Sequence, residues 1–138
     1  MIRESLEQSV RDALAAVGVE PPASVQLERP GRREHGDWSS NVALVTAKQA
    51  GRPPRELATA LVEQLTVAPP AHVERVELAG PGFVNFHLRP TWLIDVLVDV
   101  VTAGEDGYAR HDFGRGTRVN VEFVSANPTG PLHAGGGR

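Results

Sequence analysis

Residues 80–88, Gly-Pro-Gly-Phe-Val-Asn-Phe-His-Leu, predict a tight turn followed by a β-strand. The residues before this turn form a second strand pattern, so two consecutive strands are expected, His72 to Ala79 and Phe83 to Leu88. Side chains of the second strand alternate between its faces, one set being Val84, Phe86 and Leu88 and the other Phe83, Asn85 and His87. Only the first set is wholly apolar, so we expect it to face the core.

The other face of this strand carries an aromatic ring, an amide and an imidazole. An unpaired RNA base can stack on such a ring and be hydrogen-bonded by the neighbouring polar groups. The pattern therefore predicts a platform for a single nucleotide. It leaves open the alternative that helices cover this face as well and that Phe83 is simply a core residue.

Helical patterns surround the two strands. Apolar residues recur at helical spacing in four segments: residues 2–17, a segment from an N-cap at Asp37 to Gly51, a segment that begins after Pro53-Pro54, and a segment from about Thr91 to Ala103. In the last segment apolar residues occupy most of the circumference, and Asp95 and Asp99 mark the exposed stripe. Residues 24–28 alternate, with Val25 and Leu27 on one face, and predict a short half-buried strand. Together these elements predict an α+β domain of about a hundred residues.

The composition changes after the fourth helix. Residues 104–116 read as a linker, and Thr117 to Val124 predicts another strand, followed by a Pro/Gly-rich loop with three glycines at 135–137. Ligands of open α/β sheets bind beyond the carboxyl ends of strands, and a helix N-terminus offers N–H groups to a phosphate. The glycines match neither the dinucleotide fingerprint nor the P-loop, so a flexible tail is the alternative. Glu122, a carboxylate in an otherwise apolar strand, needs either a cationic partner or an exposed end, and a guanidinium ligand would satisfy it.

Composition limits the class of protein. The chain has 138 residues and no cysteine, which excludes disulfides, thiol nucleophiles and cysteine-based zinc sites. A net charge of −3 argues against wholesale coating of nucleic acid. Arg29, Arg32 and Arg33 nevertheless cluster in one Pro/Gly-flanked loop, either a local basic patch or a solvated loop. The sequence shows neither a membrane span nor a signal peptide, so a cytoplasmic location is expected.

Residues 121–133, Val-Glu-Phe-Val-Ser-Ala-Asn-Pro-Thr-Gly-Pro-Leu-His, resemble the ATP-binding "HIGH" element of arginyl-tRNA synthetases, which are class I aminoacyl-tRNA synthetases. Residues 35–44, 47–48 and 79–86 are similar to segments of that family's additional N-terminal domain, in the same order. The resemblance implies an α+β domain with a small antiparallel sheet packed with helices over residues 1–108. It implies a linker and the first strand and HIGH-motif loop of a Rossmann-like catalytic domain over residues 109–138.

The resemblance also implies a reaction and its residues. Arginine would be activated with ATP, accompanied by Mg²⁺, and transferred to the tRNA 3′ end, with no protein-bound metal expected. Carried over by position, the arginine-binding residues would be Glu122, Ser125 and Asn127, and the ATP-binding residues His133, Gly135 and Gly136, with His133 also catalytic. Phe83 and Asn85 would read one unpaired nucleotide of the tRNA D-loop. The expected partners are tRNA(Arg), L-arginine and ATP, and the protein is expected to be a monomer.

One position departs from the family pattern. The usual His-x-Gly-His reads His133-Ala134-Gly135-Gly136, so the second imidazole is absent. Loss of one such donor commonly costs ~10²–10³ in rate, and we expect another donor to compensate. Because the sequence ends at Arg138, within this motif, the 138-residue chain alone is expected to be inactive and the ligase activity to belong to a longer protein. The alternatives are an inactive homologue, a stand-alone tRNA-binding module, and a small nucleotide-binding domain of another class.

Overall fold

The structure, a computed structural model, describes residues 2–108, 110 and 114–121. Its elements in chain order are α1 (Ile2–Ala16), a one-turn 3₁₀ helix (Arg33–His35), β1 (Trp38–Ser40), α2 (Val42–Ala50), α3 (Pro54–Val67), β2 (Val73–Ala79), β3 (Phe83–Leu88) and α4 (Trp92–Gly107). The chain divides into two compact units, residues 1–102 and 103–138. No helix in the described ranges is long and apolar enough to cross a membrane.

The three strands form one antiparallel sheet in the order β1-β3-β2. β3 is therefore the central strand, with Phe86 paired to Trp38 on one side and to Val76 on the other. The predicted pair of strands and the α+β class with a small antiparallel sheet are confirmed. β1 comes from a segment more than forty residues earlier in the chain, and sequence periodicity did not reveal it.

The core lies between the sheet and helices α1 to α3. Val84 and Phe86 of β3 are fully buried, as the alternation predicted. They belong to one cluster with the apolar stripes of the helices, Leu6, Val10 and Leu14 from α1 and Leu57, Leu61 and Leu65 from α3. These stripes recur at the spacing of one helix face, which explains why amphipathic helices form here.

The strand predicted over residues 24–28 does not form along that length. Val25 and Leu27 are buried as expected, but the pairing is limited to one bridge between Glu28 and Ser39. The Ser40 hydroxyl donates to the Gln26 carbonyl at 2.9 Å, so a side chain takes the place of the next ladder bond.

Asp37 does not cap a helix, contrary to the prediction. Its backbone N–H donates to the Phe86 carbonyl at 2.8 Å, and its Oδ2 accepts the Leu88 N–H at 2.8 Å. The Asp37 carboxylate, one residue before β1 begins, thus supplies the acceptor for the backbone N–H of Leu88 at the end of β3. Helix α2 instead begins at Val42, after Asn41.

The C-terminal predictions have mixed outcomes. Helix α4 is interrupted by Gly104, whose φ of 67° and ψ of −177° are not helical, so its regular part ends where the sequence predicted. Its apolar residues are not buried, and Leu93, Ile94, Leu97 and Val98 are each about half exposed.

The strand predicted over residues 117–124 is not seen: residues 117–121 form no strand in the described part of the chain, and residues 122–124 lie outside it. A parallel strand depends on neighbouring strands for its hydrogen bonds, and residues 117–121 pair with none of those described here.

Candidate nucleic-acid interface

A cleft of about 400 Å³ opens beside Phe83 and is here called the Phe83 cleft. Its walls come from the 3₁₀ helix and the loop before it, from strands β1 and β3, and from the turn that joins β2 to β3. They are lined by residues 28–31, His35, Ser39, residues 79–81, Phe83 and Asn85. The cleft is large enough for a planar group such as a nucleotide base.

Phe83 is held at the rim by an anchored turn. The Arg55 Nη1, in the first turn of α3, donates to the Gly80 carbonyl at 2.6 Å. Gly82 packs so closely on α3 that a Cβ there would lie 3.1 Å from the Pro54 carbonyl oxygen. The turn is thereby tied to α3, while Phe83 itself remains 38% exposed. An aromatic ring on such a support can stack with little ordering cost.

Asn85 lies deeper, with only 3% of its surface exposed. Its Oδ1 accepts a hydrogen bond from the Ser39 Oγ at 2.7 Å, across the pairing of β3 with β1. The oxygen of the amide is thus engaged, and its NH₂ group can only donate. The cleft therefore combines an exposed ring with an amide fixed in a donating orientation.

His87, the third side chain of this face, does not line the cleft. Its Nε2 lies 3.0 Å from the Glu77 Oε2, and the Arg75 Nε donates to the other Glu77 oxygen at 2.6 Å. The Arg75 guanidinium, with a smaller effect from His87, holds the pKa of Glu77 below its usual value although desolvation opposes it. The face predicted to be open is thus open at Phe83 and closed at His87.

Trp38 does not line the cleft but supports Arg29, which does, and the sequence analysis did not single it out. It is the first residue of β1, and the guanidinium carbon of Arg29 lies 5.0 Å from the centre of its ring. A guanidinium stacked on an indole is a cation–π pair. The arginine-rich loop before it was visible in the sequence, but the contact depends on the bridge between Glu28 and Ser39, which brings the segment of Arg29 beside β1.

The structure brings together only two of the predicted site residues, Phe83 and Asn85. The predicted arginine-binding and ATP-binding residues, Glu122, Ser125, Asn127, His133, Gly135 and Gly136, lie outside the described residues. Within the described ranges no three His, Cys, Asp or Glu side chains are grouped so that they could hold a metal ion.

A three-stranded antiparallel sheet with helices, and a cleft beside an exposed aromatic ring, define a small α+β domain with a surface suited to a planar ligand. The profile of the family described as "Arginyl tRNA synthetase N terminal domain" matches residues 4–88. The chain therefore belongs to the arginyl-tRNA synthetase N-terminal domain family.

Curated relatives agree with this assignment. The chain is 46% identical over 133 residues to an arginine–tRNA ligase of Carboxydothermus hydrogenoformans, covering 94% of this chain and 23% of the relative. It is 42% identical over 137 residues to an arginine–tRNA ligase of Chlorobium limicola, covering 99% and 24%. The chain thus spans about a quarter of the length of these relatives.

Solved structures give the same fold. Thermus thermophilus arginyl-tRNA synthetase superposes with a TM-score of 0.58 at 29% identity, over 70% of this chain and 15% of that one. Arginyl-tRNA synthetase from Plasmodium falciparum superposes with a TM-score of 0.57 over 70% of this chain and 17% of that one. At 11% identity, the second match shows the fold alone.

Proposed function

We propose that this chain is the N-terminal part of an arginine–tRNA ligase and that its Phe83 cleft reads one unpaired nucleotide of the tRNA D-loop. In this proposal residues 1–108 form the tRNA-binding domain, and residues 109–138 form a linker and the start of a Rossmann-like class I catalytic domain. Family membership and the names of the curated relatives support the ligase. The observation that carries the nucleotide site is an exposed Phe83 ring beside an Asn85 amide that Ser39 orients.

The two side chains would make different contributions to recognition. A base stacked on Phe83 gains affinity whatever its identity, because every base has a π-face. The Asn85 NH₂ can only donate, and Ser39 already occupies the amide oxygen, so Asn85 favours a base that presents an acceptor. Affinity would therefore come mainly from Phe83 and discrimination mainly from Asn85.

Phe83→Ala should weaken binding of an arginine tRNA transcript by the 138-residue chain. Loss of one base stack costs ~1–3 kcal/mol, or about 5–150-fold in Kd. The measurement is fluorescence anisotropy at fixed salt, with Tyr108→Ala as the control because Tyr108 is also an exposed aromatic residue but does not line the cleft. An unchanged Kd in a folded Phe83→Ala variant would refute the nucleotide site.

The catalytic part of the proposal depends on residues beyond the described ranges. By their place in the resembling motif, we assign Glu122, Ser125 and Asn127 to L-arginine, and His133, Gly135 and Gly136 to ATP accompanied by Mg²⁺. The tRNA would then receive arginine from the activated intermediate. All three substrates follow from the ligase assignment.

In the full-length protein, Glu122→Gln should weaken arginine binding at least about tenfold and ATP binding much less. The substitution removes the negative charge opposite a cationic group of arginine, and a charge-assisted hydrogen bond is worth roughly 1.5–3 kcal/mol. Calorimetric titration with each substrate measures both constants. Glu63→Gln, at an exposed carboxylate of α3, is the control. Equal losses for arginine and ATP would indicate a structural role for Glu122.

Gly136 favours a second candidate function, a tRNA-binding homologue without ligase activity, because the usual second histidine of the motif is missing. The two candidates differ in arginine-dependent exchange of pyrophosphate into ATP by the full-length protein. An active ligase carries out this exchange, and an inactive homologue does not. tRNA binding at the Phe83 cleft is expected in both cases.

A further inference from the structure

We infer that Arg29 and Arg33 bind RNA phosphates and lead the strand from the Phe83 cleft into a second cleft beside it. The second cleft has a volume of about 620 Å³ and shares Arg29 and Pro30 with the first. Its other walls include Arg33 and Asp37, with Trp92 at the start of α4. This inference rests on the proposed function, since it extends the path of the same RNA.

The three arginines of this loop differ in their partners. The Arg32 Nη1 lies 3.3 Å from the Glu34 Oε1, so its charge is already matched. Arg29 and Arg33 have no carboxylate partner among the residues that the structure describes. Two unmatched guanidinium groups therefore border the second cleft. A guanidinium is the side chain best suited to bidentate contact with a phosphate.

The fold orders the Arg29 side chain and the backbone of Arg33. The Arg29 guanidinium stacks at 5.0 Å on the Trp38 ring, which covers one of its faces and leaves its N–H edge free to donate. Arg33 begins the 3₁₀ turn, whose bonds run from the His35 N–H to the Arg32 carbonyl and from the Gly36 N–H to the Arg33 carbonyl, each at 3.1 Å. Both side chains therefore start from an ordered backbone, which lowers the cost of fixing a phosphate.

The carboxylates indicate which part of a nucleotide each cleft suits. In the Phe83 cleft the single carboxylate, Glu28, faces the single arginine, Arg29, so that cleft has an aromatic ring and an amide for a base but no surplus of positive charge for a phosphate. The second cleft has two arginines, Arg29 and Arg33, and one carboxylate, Asp37, whose Oδ2 already accepts the Leu88 N–H. We therefore place the base at Phe83 and the adjoining phosphates along the arginines.

The test is the salt dependence of binding between the 138-residue chain and an arginine tRNA transcript. Each phosphate neutralised on a single strand contributes about −0.7 to the slope of log K against log[salt]. Arg29→Gln and Arg33→Gln should each reduce the slope by about that amount, and the double variant by about twice as much. Arg29→Lys, which keeps the charge, should retain the slope while binding less tightly, because the planar fork is lost.

Two controls separate this inference from the proposed function. Arg52→Gln, at an exposed arginine that lines neither cleft, should leave the slope unchanged. Phe83→Ala should lower the affinity at every salt concentration and keep the wild-type slope. Wild-type slopes for both glutamine variants, or an equal change in Arg52→Gln, would overturn the phosphate path and leave the Phe83 site standing. Reduced slopes together with an unaffected Phe83→Ala variant would support phosphate binding by Arg29 and Arg33 and refute the nucleotide site from which the path was to begin.

Discussion

Phe86→Ala is expected to lower the free energy of unfolding of this chain by ~3–5 kcal/mol. The side chain has no exposed surface and lies on the central strand, where its backbone is paired to β1 and to β2. Removing the ring loses its transfer free energy from water and leaves a cavity in the cluster that joins the sheet to α1 and α3. For a domain of this size such a loss is a large share of the total stability.

Urea unfolding followed by circular dichroism measures this loss, with Phe83→Ala as the matched control. The two phenylalanines lie three residues apart on one strand, but Phe83 is 38% exposed, so its removal should change the midpoint little. If Phe83→Ala lost as much stability as Phe86→Ala, the Phe83 ring would be a core group, and the proposed nucleotide site would lose its main support.

The sequence was most informative where structure depends on local periodicity. The alternation of residues 83–88 correctly assigned Val84 and Phe86 to the core, and helical spacing located α1 and α3. Both patterns arise because one face of each element must be apolar to be buried. The same reasoning predicted the buried side chains Val25 and Leu27 although the strand around them did not form.

The candidate site was less predictable, because it depends on pairing between distant segments. The sequence placed Asn85 and His87 on the open face of their strand. Both are buried in the structure, where Ser39 of β1 bonds the amide and Glu77 of β2 bonds the imidazole. Strand β1 has only three residues, too few for periodicity to identify. Its place at the edge of the sheet also creates the contact between Arg29 and Trp38.

Helix α4 shows a different limit of sequence reasoning. Apolar residues on most of its circumference predicted burial, yet none of its described side chains is buried in the structure. Periodicity reports that a face is apolar but does not identify what covers it. The same holds for Gly36, whose importance depends on a backbone atom fifty residues away in the chain and not on any local pattern.

Gly36→Ala is expected to be the most damaging single-methyl change in this fold. Gly36 has a φ of 91° and a ψ of −166°, a conformation that is essentially restricted to glycine and costs other residues ~1–3 kcal/mol. A Cβ at this position would also lie 2.5 Å from the Phe86 carbonyl oxygen, far inside van der Waals contact. That oxygen belongs to the central strand and accepts the Asp37 N–H, so it cannot retreat without breaking the start of the β1 pairing.

The chain must therefore move Gly36 away from β3, which would also remove the bond from the Leu88 N–H to the Asp37 carboxylate. With backbone strain and lost hydrogen bonds together, we expect the free energy of unfolding to fall by about 3 kcal/mol or more. Gly51→Ala is the matched control, since Gly51 also has a positive φ, 61°, but no described atom lies within 4 Å of its Cβ position. That variant should lose only ~1–2 kcal/mol, the cost of a left-handed residue with a side chain. Urea unfolding of both variants measures the difference, and equal losses would mean that the approach of Gly36 to Phe86 does not limit stability.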